Sequence, residues 1–295
     1  MVQAPVALRV DVDTRRGLHE GVPRLLELFR RLDVRASFFV TMGPDRSGLA
    51  IRRAWRPSFL LKMLRTNPFR LYGVRTLLSG SLLPARPVGA GAPALLRQIL
   101  DAGHEVAPHG WDHVTWQDRV ERLGEAALRH DLISAARAFE SALGTPASTS
   151  AAPGWRTTSA ALVVQEELGL RYASDVRGRA AFRPVVTGGP LKTVQIPTTM
   201  PTVDELLGRV RDIPAALSAE LRDGLNVFTL HAEVEGGPLL DVFTAWLDTL
   251  RRARRPLVRL RDVADSVLAA PIETGVVQQG HVAGRSGWVA MAGRA

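Results

Sequence analysis

Two carboxylates, Asp11 and Asp13, stand one residue apart at the end of the apolar run Val6 to Val12. Side chains two apart on a strand leave the same face, so both would look into one space. Like charges that close need a cation or a proton to neutralise one of them. The plain alternative is a strand end finished by a turn-forming Asp and a helix cap. A second pair, His109 and His113, is spaced i and i+4. That spacing puts both imidazoles on one face of a helical turn, within reach of a single metal ion. Two imidazoles and the Asp13 carboxylate leave coordination positions open for water, as catalytic metal sites do, and suit zinc, manganese, cobalt or iron. His231 closes the run Asn226 to Leu230, and Asp175 follows Arg171-Tyr172-Ala173-Ser174. Alone, the first reads equally as a hydrogen-bonded core histidine and the second as a turn former. Together, a water-activating metal, a free carboxylate and a separate histidine are the parts that amide hydrolysis requires.

The elements that must position these groups alternate short apolar runs with amphipathic stretches, the pattern of a βα-repeated parallel architecture. Strands are predicted at Val6–Val12, Ala36–Thr41, Glu105–His109, Ser148–Ala152, Arg171–Asp175, Thr193–Pro197, Asn226–His231 and Pro256–Leu260. Helices are predicted at Gly21–Leu32, Ala92–Ala102, Leu123–Leu143, Thr158–Leu168, Thr202–Val210 and Pro238–Arg252. An irregular α/β barrel of about seven strands is expected, and reactive side chains in such folds gather at the C-terminal ends of the strands. The candidate residues stand at those ends. The expected organisation is one domain over 1–270, with an insert at 46–97 and a tail at 271–295.

The net charge of +9 is unevenly distributed. Ten cations lie from Arg46 to Arg97, with no Asp or Glu between Asp45 and Asp101, so the rest of the chain is close to neutral. Within this insert, Phe59–Arg65 and Phe69–Leu78 are apolar and basic, with Pro57 and Pro68 interrupting them. Two brief amphipathic helices are expected, lying in an anionic bilayer interface or packing as a lid on the barrel. Aromatics and cations are not interleaved as a stacking groove, so a nucleic-acid partner is not expected. The chain has no cysteine, which excludes disulfides, thiolate zinc sites and a cysteine nucleophile. Met1-Val2-Gln3-Ala4-Pro5 runs straight into the first strand, leaving no room for a cleaved leader, and no apolar run is long enough to span a bilayer. A peripheral protein on the cytoplasmic face of the inner membrane is the expectation.

The order D-x-D, H-x-x-x-H, Asp175, Leu-His resembles the NodB-type polysaccharide deacetylase family, carbohydrate esterase family 4. Further segments are similar to one deformylase branch of it: Leu8-Arg9-Val10-Asp11-Val12-Asp13-Thr14, Glu20 to Glu27, Lys62-Met63-Leu64-Arg65, Ala152-Pro153-Gly154-Trp155-Arg156, His231-Ala232-Glu233-Val234-Glu235-Gly236 and Ala283 to Trp288. The resemblance implies metal-dependent removal of formyl from an amino sugar carried on a polyprenyl phosphate, a step of lipid A modification. A related N-deacetylase on another acylated sugar is the alternative. It implies Asp11 as general base, one divalent metal on Asp13, His109 and His113, His231 as the acid that protonates the leaving amine, and Asp175 orienting His231. Two departures stand out. The family's first motif usually has adjacent aspartates, and its third motif carries an arginine that Ser150-Ala151-Ala152-Pro153-Gly154 lacks. Arg156 is the expected replacement in holding Asp11. Glu233 and Glu235 are read as binding sugar hydroxyls or an amine, or as solvating a loop. Lys62, Arg65, Arg70 and Arg75 are expected to meet lipid phosphate, from the substrate or from the inner-membrane surface.

Overall fold

The computed structural model describes residues 3–50 and 68–294. Its strands are β1 (Val6–Val12), β2 (Ser37–Val40), β3 (Glu105–Pro108), β4 (Thr149–Ser150), β5 (Tyr172–Ala173), β6 (Arg183–Val186), β7 (Gly189–Pro190), β8 (Val194–Gln195), β9 (Asn226–His231), β10 (Leu257–Val258), β11 (Thr274–Gly280) and β12 (Val289–Arg294). β1 is the hub, pairing in parallel with β2, β9 and β10, while β3 extends the sheet beyond β2. A second parallel sheet runs β4-β5-β8. The two sheets meet at seams rather than along ladders. Ala151 N–H donates to Pro108 O beside β3, and the amides of Thr199 and Met200 donate to Val227 O of β9. The expected strands therefore form, and helices connect them, but the sheet is split: β4, β5 and β8 are two residues each, too short for continuous ladders.

The pleat of β1 explains its sequence. Val6, Leu8, Val10 and Val12 point into the main core, against Leu25, Leu28 and Phe29 of the helix Val22–Leu32 and Phe243, Trp246 and Leu247 of the helix Leu240–Arg252. The opposite face starts with Ala7, in a second core with Phe39, Tyr172 and Val227, and then turns charged: Arg9, Asp11, Asp13. Burying a Val or Leu side chain contributes roughly 1.5–3 kcal/mol, so the four apolar positions anchor the strand that carries the charges. β9 repeats the device, with Phe228 and Leu230 in the main core and Thr229 and His231 on the other face, Asp11 lying opposite His231.

Four strands lie outside those predicted. β6 and β7 form a short hairpin; β11 pairs with β6 and, antiparallel, with β12. The amide of Arg177 donates to Ala290 O and that of Ala292 to Arg177 O, so the C-terminal hairpin is sewn to the chain just after β5. Its hydrophobic alternation is weak because most of β11 is half-buried or exposed. The insert's second predicted helix is found at Pro68–Leu78, broken at Gly73, whose φ of 74° is left-handed. Its first, with Lys62 and Arg65, lies outside the described residues, as does the side chain of Arg70. The insert is rooted at Gly48, whose amide donates to Ser79 O, and at Asp45, whose carbonyl accepts from Ser79 Oγ.

Candidate active site

The charged face of β1 and the ends of β3 and β9 converge on one place. His109 is held by its ring Nδ1 against Ala151 O at 2.8 Å, so Nδ1 carries the proton and the Nε2 lone pair faces inward. His113 opens the helix His113–Arg119, capped by Asp112, whose carboxylate accepts from Thr115 N. The Nε2 atoms of His109 and His113 lie 3.4 and 3.2 Å from the two oxygens of Asp13. One ligand atom from each of the three residues falls within 4.8 Å of the others, the only such group of His, Cys, Asp or Glu found among the described residues. Asp13 Oδ1 is buried with no hydrogen-bond partner. An orphaned carboxylate oxygen between two inward lone pairs fits a divalent cation. Burial alone would raise the Asp13 pKa, but His113, His109 and His231 outweigh it and hold the carboxyl well below the usual range. Burial pushes His109 down to about 4, against the pull of Asp11 and Asp13, so it stands as a neutral ligand.

Asp11 sits beside this trio, its Oδ2 3.6 Å from His109 Nε2. Both its oxygens are gripped at 2.7 Å by Nε and Nη2 of Arg9, two residues back on the same face of β1. Arg9 is fully buried, its Nη1 donates to Ser174 Oγ, and its guanidinium lies 5.3 Å from the ring centroids of Phe39 and of Trp155. The arginine that holds Asp11 is therefore Arg9, not the expected Arg156. Arg156 instead lies over the Trp288 ring at 4.6 Å, and its carbonyl accepts from Trp116 Nε1. The pleat puts i and i+2 together, whereas Arg156 follows a turn, Pro153–Trp155, with its own constraints.

His231 lies across the register from Asp11. Burial opposes its charged form, but Asp13, Asp204, Glu235 and Asp11 face it and raise its pKa above the ordinary value. Asp175 is not among those partners. It is fully buried, with Oδ2 accepting from Gln195 Nε2 at 2.9 Å, and burial raises its pKa against that bond and the one from Gln165. β5 ends at Ala173, Ser174 then meets Arg9, and Asp175 is tied to Gln195 through both its amide and its carboxylate. Asp204, in the helix Val203–Leu206, stands near His231 instead and accepts from Thr202 Oγ1 at 2.6 Å. Glu233 and Glu235 are 3% and 0% exposed, which rules out a solvated loop. Glu235 Oε2 accepts the His231 amide at 2.7 Å, and burial pushes its pKa to about 7. Burial likewise raises Glu233 well above the carboxylate range, with Asp13 adding to it.

Three contributors escaped sequence reading. Arg9 carried a signal, a charge flanked by apolar residues inside a strand, which needs a buried partner. Asp204 offered none beyond a helix start. Trp155 is 1% exposed and adopts a φ of 52°, left-handed and strained for a bulky residue. Its ring meets His231 edge-on at 6.3 Å and carries the guanidinium groups of Arg177 at 5.0 Å and Arg285 at 4.3 Å. Arg285, from the loop before β12, also pairs with Glu205 at 3.4 Å, so the C-terminal segment reaches the wall behind the histidine. His104 is structural: its Nδ1 accepts from Ala36 N and its ring packs on Phe29 and Phe38.

Comparison with known proteins places this geometry. Residues 3–173 match the family described as polysaccharide deacetylase. A Shewanella sediminis protein described as a probable 4-deoxy-4-formamido-L-arabinose-phosphoundecaprenol deformylase ArnD is 39% identical, over 96% of this chain and 93% of its own length. A protein of the same description from Wigglesworthia glossinidia brevipalpis is 30% identical, over 93% and 97%. Among solved structures, a Mycobacterium smegmatis protein described as a polysaccharide deacetylase superposes with a TM-score of 0.63 over 96% of this chain and 99% of its own. At 18% identity, that likeness speaks for the fold.

Proposed function

Because the chain belongs to the polysaccharide deacetylase family, we propose that it hydrolyses the formamide of a 4-deoxy-4-formamido-L-arabinose carried on undecaprenyl phosphate, giving the 4-amino sugar lipid and formate. The observation that carries the reading is the convergence of Asp13, His109 and His113 within 4.8 Å, with Asp11 beside them and His231 across the strand register. The deformylase description of relatives matched over more than nine-tenths of the chain narrows the acyl group and the sugar.

Asp13, His109 and His113 would hold one divalent ion, which supplies Lewis-acid polarisation of the amide carbonyl and acidifies the attacking water. Asp11, fixed by Arg9, takes a proton from that water as its oxygen bonds to the formyl carbon. His231 gives a proton to the nitrogen as the C–N bond breaks, since an amine anion leaves too poorly on its own. Against the pull of burial, the carboxylates around His231 raise its pKa, which favours the protonated form a donor needs. Trp155 walls the imidazole on one side, meeting it edge-on.

The basic insert serves the lipid end of this substrate. Arg75 is exposed, with Val74 58% and Leu82 80% exposed nearby in sequence, an apolar and cationic surface suited to a membrane of anionic lipids and to the phosphate of a polyprenyl carrier. Lys62, Arg65 and Arg70 belong to the same basic stretch. No helix among the described residues is long and apolar enough to cross a membrane. Peripheral attachment at the cytoplasmic face of the inner membrane follows from this reading, and with it a step of lipid A modification that lowers sensitivity to cationic peptides.

The test is mass spectrometry of the formamido-arabinose lipid phosphate incubated with the enzyme, with and without chelator, alongside the N-acetyl analogue. Loss of the formyl mass and release of formate, both abolished by chelator, are expected. Acetate release at an equal rate would transfer the proposal to a general deacetylase, and no mass change with metal-replete enzyme would end it.

A further inference from the structure

Between the two histidine ligands the chain makes a turn that cannot hold itself. Gly110 is left-handed at a φ of 70°, Trp111 and Asp112 follow, and only at His113 does a helix begin. The amides of Trp111 and Asp112 both point at one carboxylate, Asp131, whose Oδ1 and Oδ2 accept them at 2.9 and 3.0 Å. Asp131 comes from a different element, the helix Glu125–Leu143, and is 7% exposed. Two successive amides converging on one buried anion form a nest that fixes both peptide planes. Those planes set the separation and tilt of the two imidazoles, whose ring centroids stand 5.4 Å apart.

We propose that Asp131 is a positioning residue that builds the bis-histidine half of the metal site before any ion arrives. It touches neither substrate nor metal; it acts through the backbone of the Gly110-Trp111-Asp112 turn. A buried carboxylate in the middle of a helix is costly, and among the described residues those two amides are the donors that satisfy it. The neighbouring contacts support the same turn. Asp112 accepts from Arg46 Nη1 at 2.6 Å, and Gly43 N donates to Trp111 O, so the chain leading into the insert braces the turn from outside. His109 is locked independently by Ala151 O. With both imidazoles preset, an ion binds without having to order the loop, and loss of the brace should weaken binding as removal of outer partners of metal ligands does, by about 10–100-fold.

The inference rests on the metal reading of Asp13, His109 and His113 but not on the substrate, so its test uses metal affinity. Zn²⁺ binding to chelator-stripped protein is titrated calorimetrically for wild type, Asp131→Ala, Asp131→Asn and Leu128→Ala, the last a core truncation on the same helix that lowers stability while leaving both hydrogen bonds to the turn in place. Both Asp131 variants should bind Zn²⁺ about 10-fold or more weakly, while Leu128→Ala binds like wild type at matched thermal stability. Equal Zn²⁺ affinity in wild type and Asp131→Asn, or a loss just as large in Leu128→Ala, would overturn the assignment. Wild-type protein gives an independent reading should the variants fail to fold. Amide exchange at Trp111 and Asp112 should be slow already without metal and change less than about threefold on adding Zn²⁺. Fast exchange that slows only when Zn²⁺ binds would mean that the ion, not Asp131, orders the turn. Failure of wild type to bind Zn²⁺ at all would sink the metal reading with it, whereas absent deformylation with normal Zn²⁺ binding would leave this inference standing.

Discussion

Replacing Arg9 by Met tests the central electrostatic claim of the site. Met keeps most of the length and packing between Phe39 and Trp155 but removes both charged hydrogen bonds to Asp11. Arg9 is fully buried and Asp11 is 2% exposed, so the carboxylate would be left without its counter-charge in a poorly solvated place. Breaking a buried ion pair from one side costs about 3–5 kcal/mol. At about 2 °C per kcal/mol for a domain of this size, thermal unfolding should fall by roughly 6–10 °C. The base would also lose its fixed orientation, and misplacement by a fraction of a bond length costs on the order of 10²-fold in rate. The assay is a double-mutant cycle with Asp11→Asn, following unfolding by calorimetry and formate release at saturating metal. Asp11→Asn in the Arg9→Met background should recover most of the lost stability, because no buried charge is then left unpaired, and should recover none of the activity. Additive stability losses, or an Arg9→Met enzyme within twofold of wild-type kcat/KM, would refute the reasoning.

Four further outcomes follow. Asp204→Asn should move the alkaline limb of the pH–rate profile to lower pH, since the carboxylates around His231 raise its pKa and rising pH removes the donor proton sooner when one is neutralised; an unmoved limb would dismiss Asp204. His113→Ala should weaken divalent-metal affinity by more than about 100-fold, beyond the range of outer-shell changes, measured by competition with a chromophoric chelator, with a wild-type affinity counting against its ligation. His104 is buried and neutral, its pKa pushed down to about 4, first by burial and then by Arg35. Its contribution is complete above pH 6.5 and is lost as pH falls toward 4, about 3 kcal/mol in all; urea melts of wild type and His104→Asn across that window should converge, and parallel curves would contradict it. Vesicles containing anionic lipid should co-sediment the protein at low salt and release it at high salt, with Arg75→Glu weakening binding; equal binding to neutral vesicles would count against the basic surface.

The parts of the site legible in the sequence are those whose spacing matches a local period. The D-x-D pair reads because a strand repeats every two residues; the H-x-x-x-H pair does converge, but through the left-handed turn at Gly110 and not on a helical turn, since the helix begins only at His113. What brings distant elements together has no such period. Arg156 was the expected partner of Asp11 because it lies near the altered third motif, yet the pleat had already placed Arg9 on the same face of β1. Asp175 stands just past a strand end, but it is tied to Gln195 through both its amide and its carboxylate. Asp131 and Asp204 sit on helices whose polar residues look like any solvated face until the fold sets an amide or an imidazole against them. The same holds for elements. The strands β1 and β9 announce themselves as buried, largely apolar runs, whereas β11 mixes exposed and half-buried residues and carries no clear pattern.

The pleat of β1 also separates two properties that proteins often trade against each other. Leu8 and Val10 answer only to the helices behind the sheet, and Arg9 and Asp11 only to the reacting side. An engineer can therefore harden the scaffold through the even-numbered positions without reaching the reacting side, whereas Arg9 and Asp11 carry turnover and, as a buried pair, stability too. Inserting a single residue within the strand would do the reverse, sending guanidinium and carboxylate among the leucines and presenting valine to the substrate.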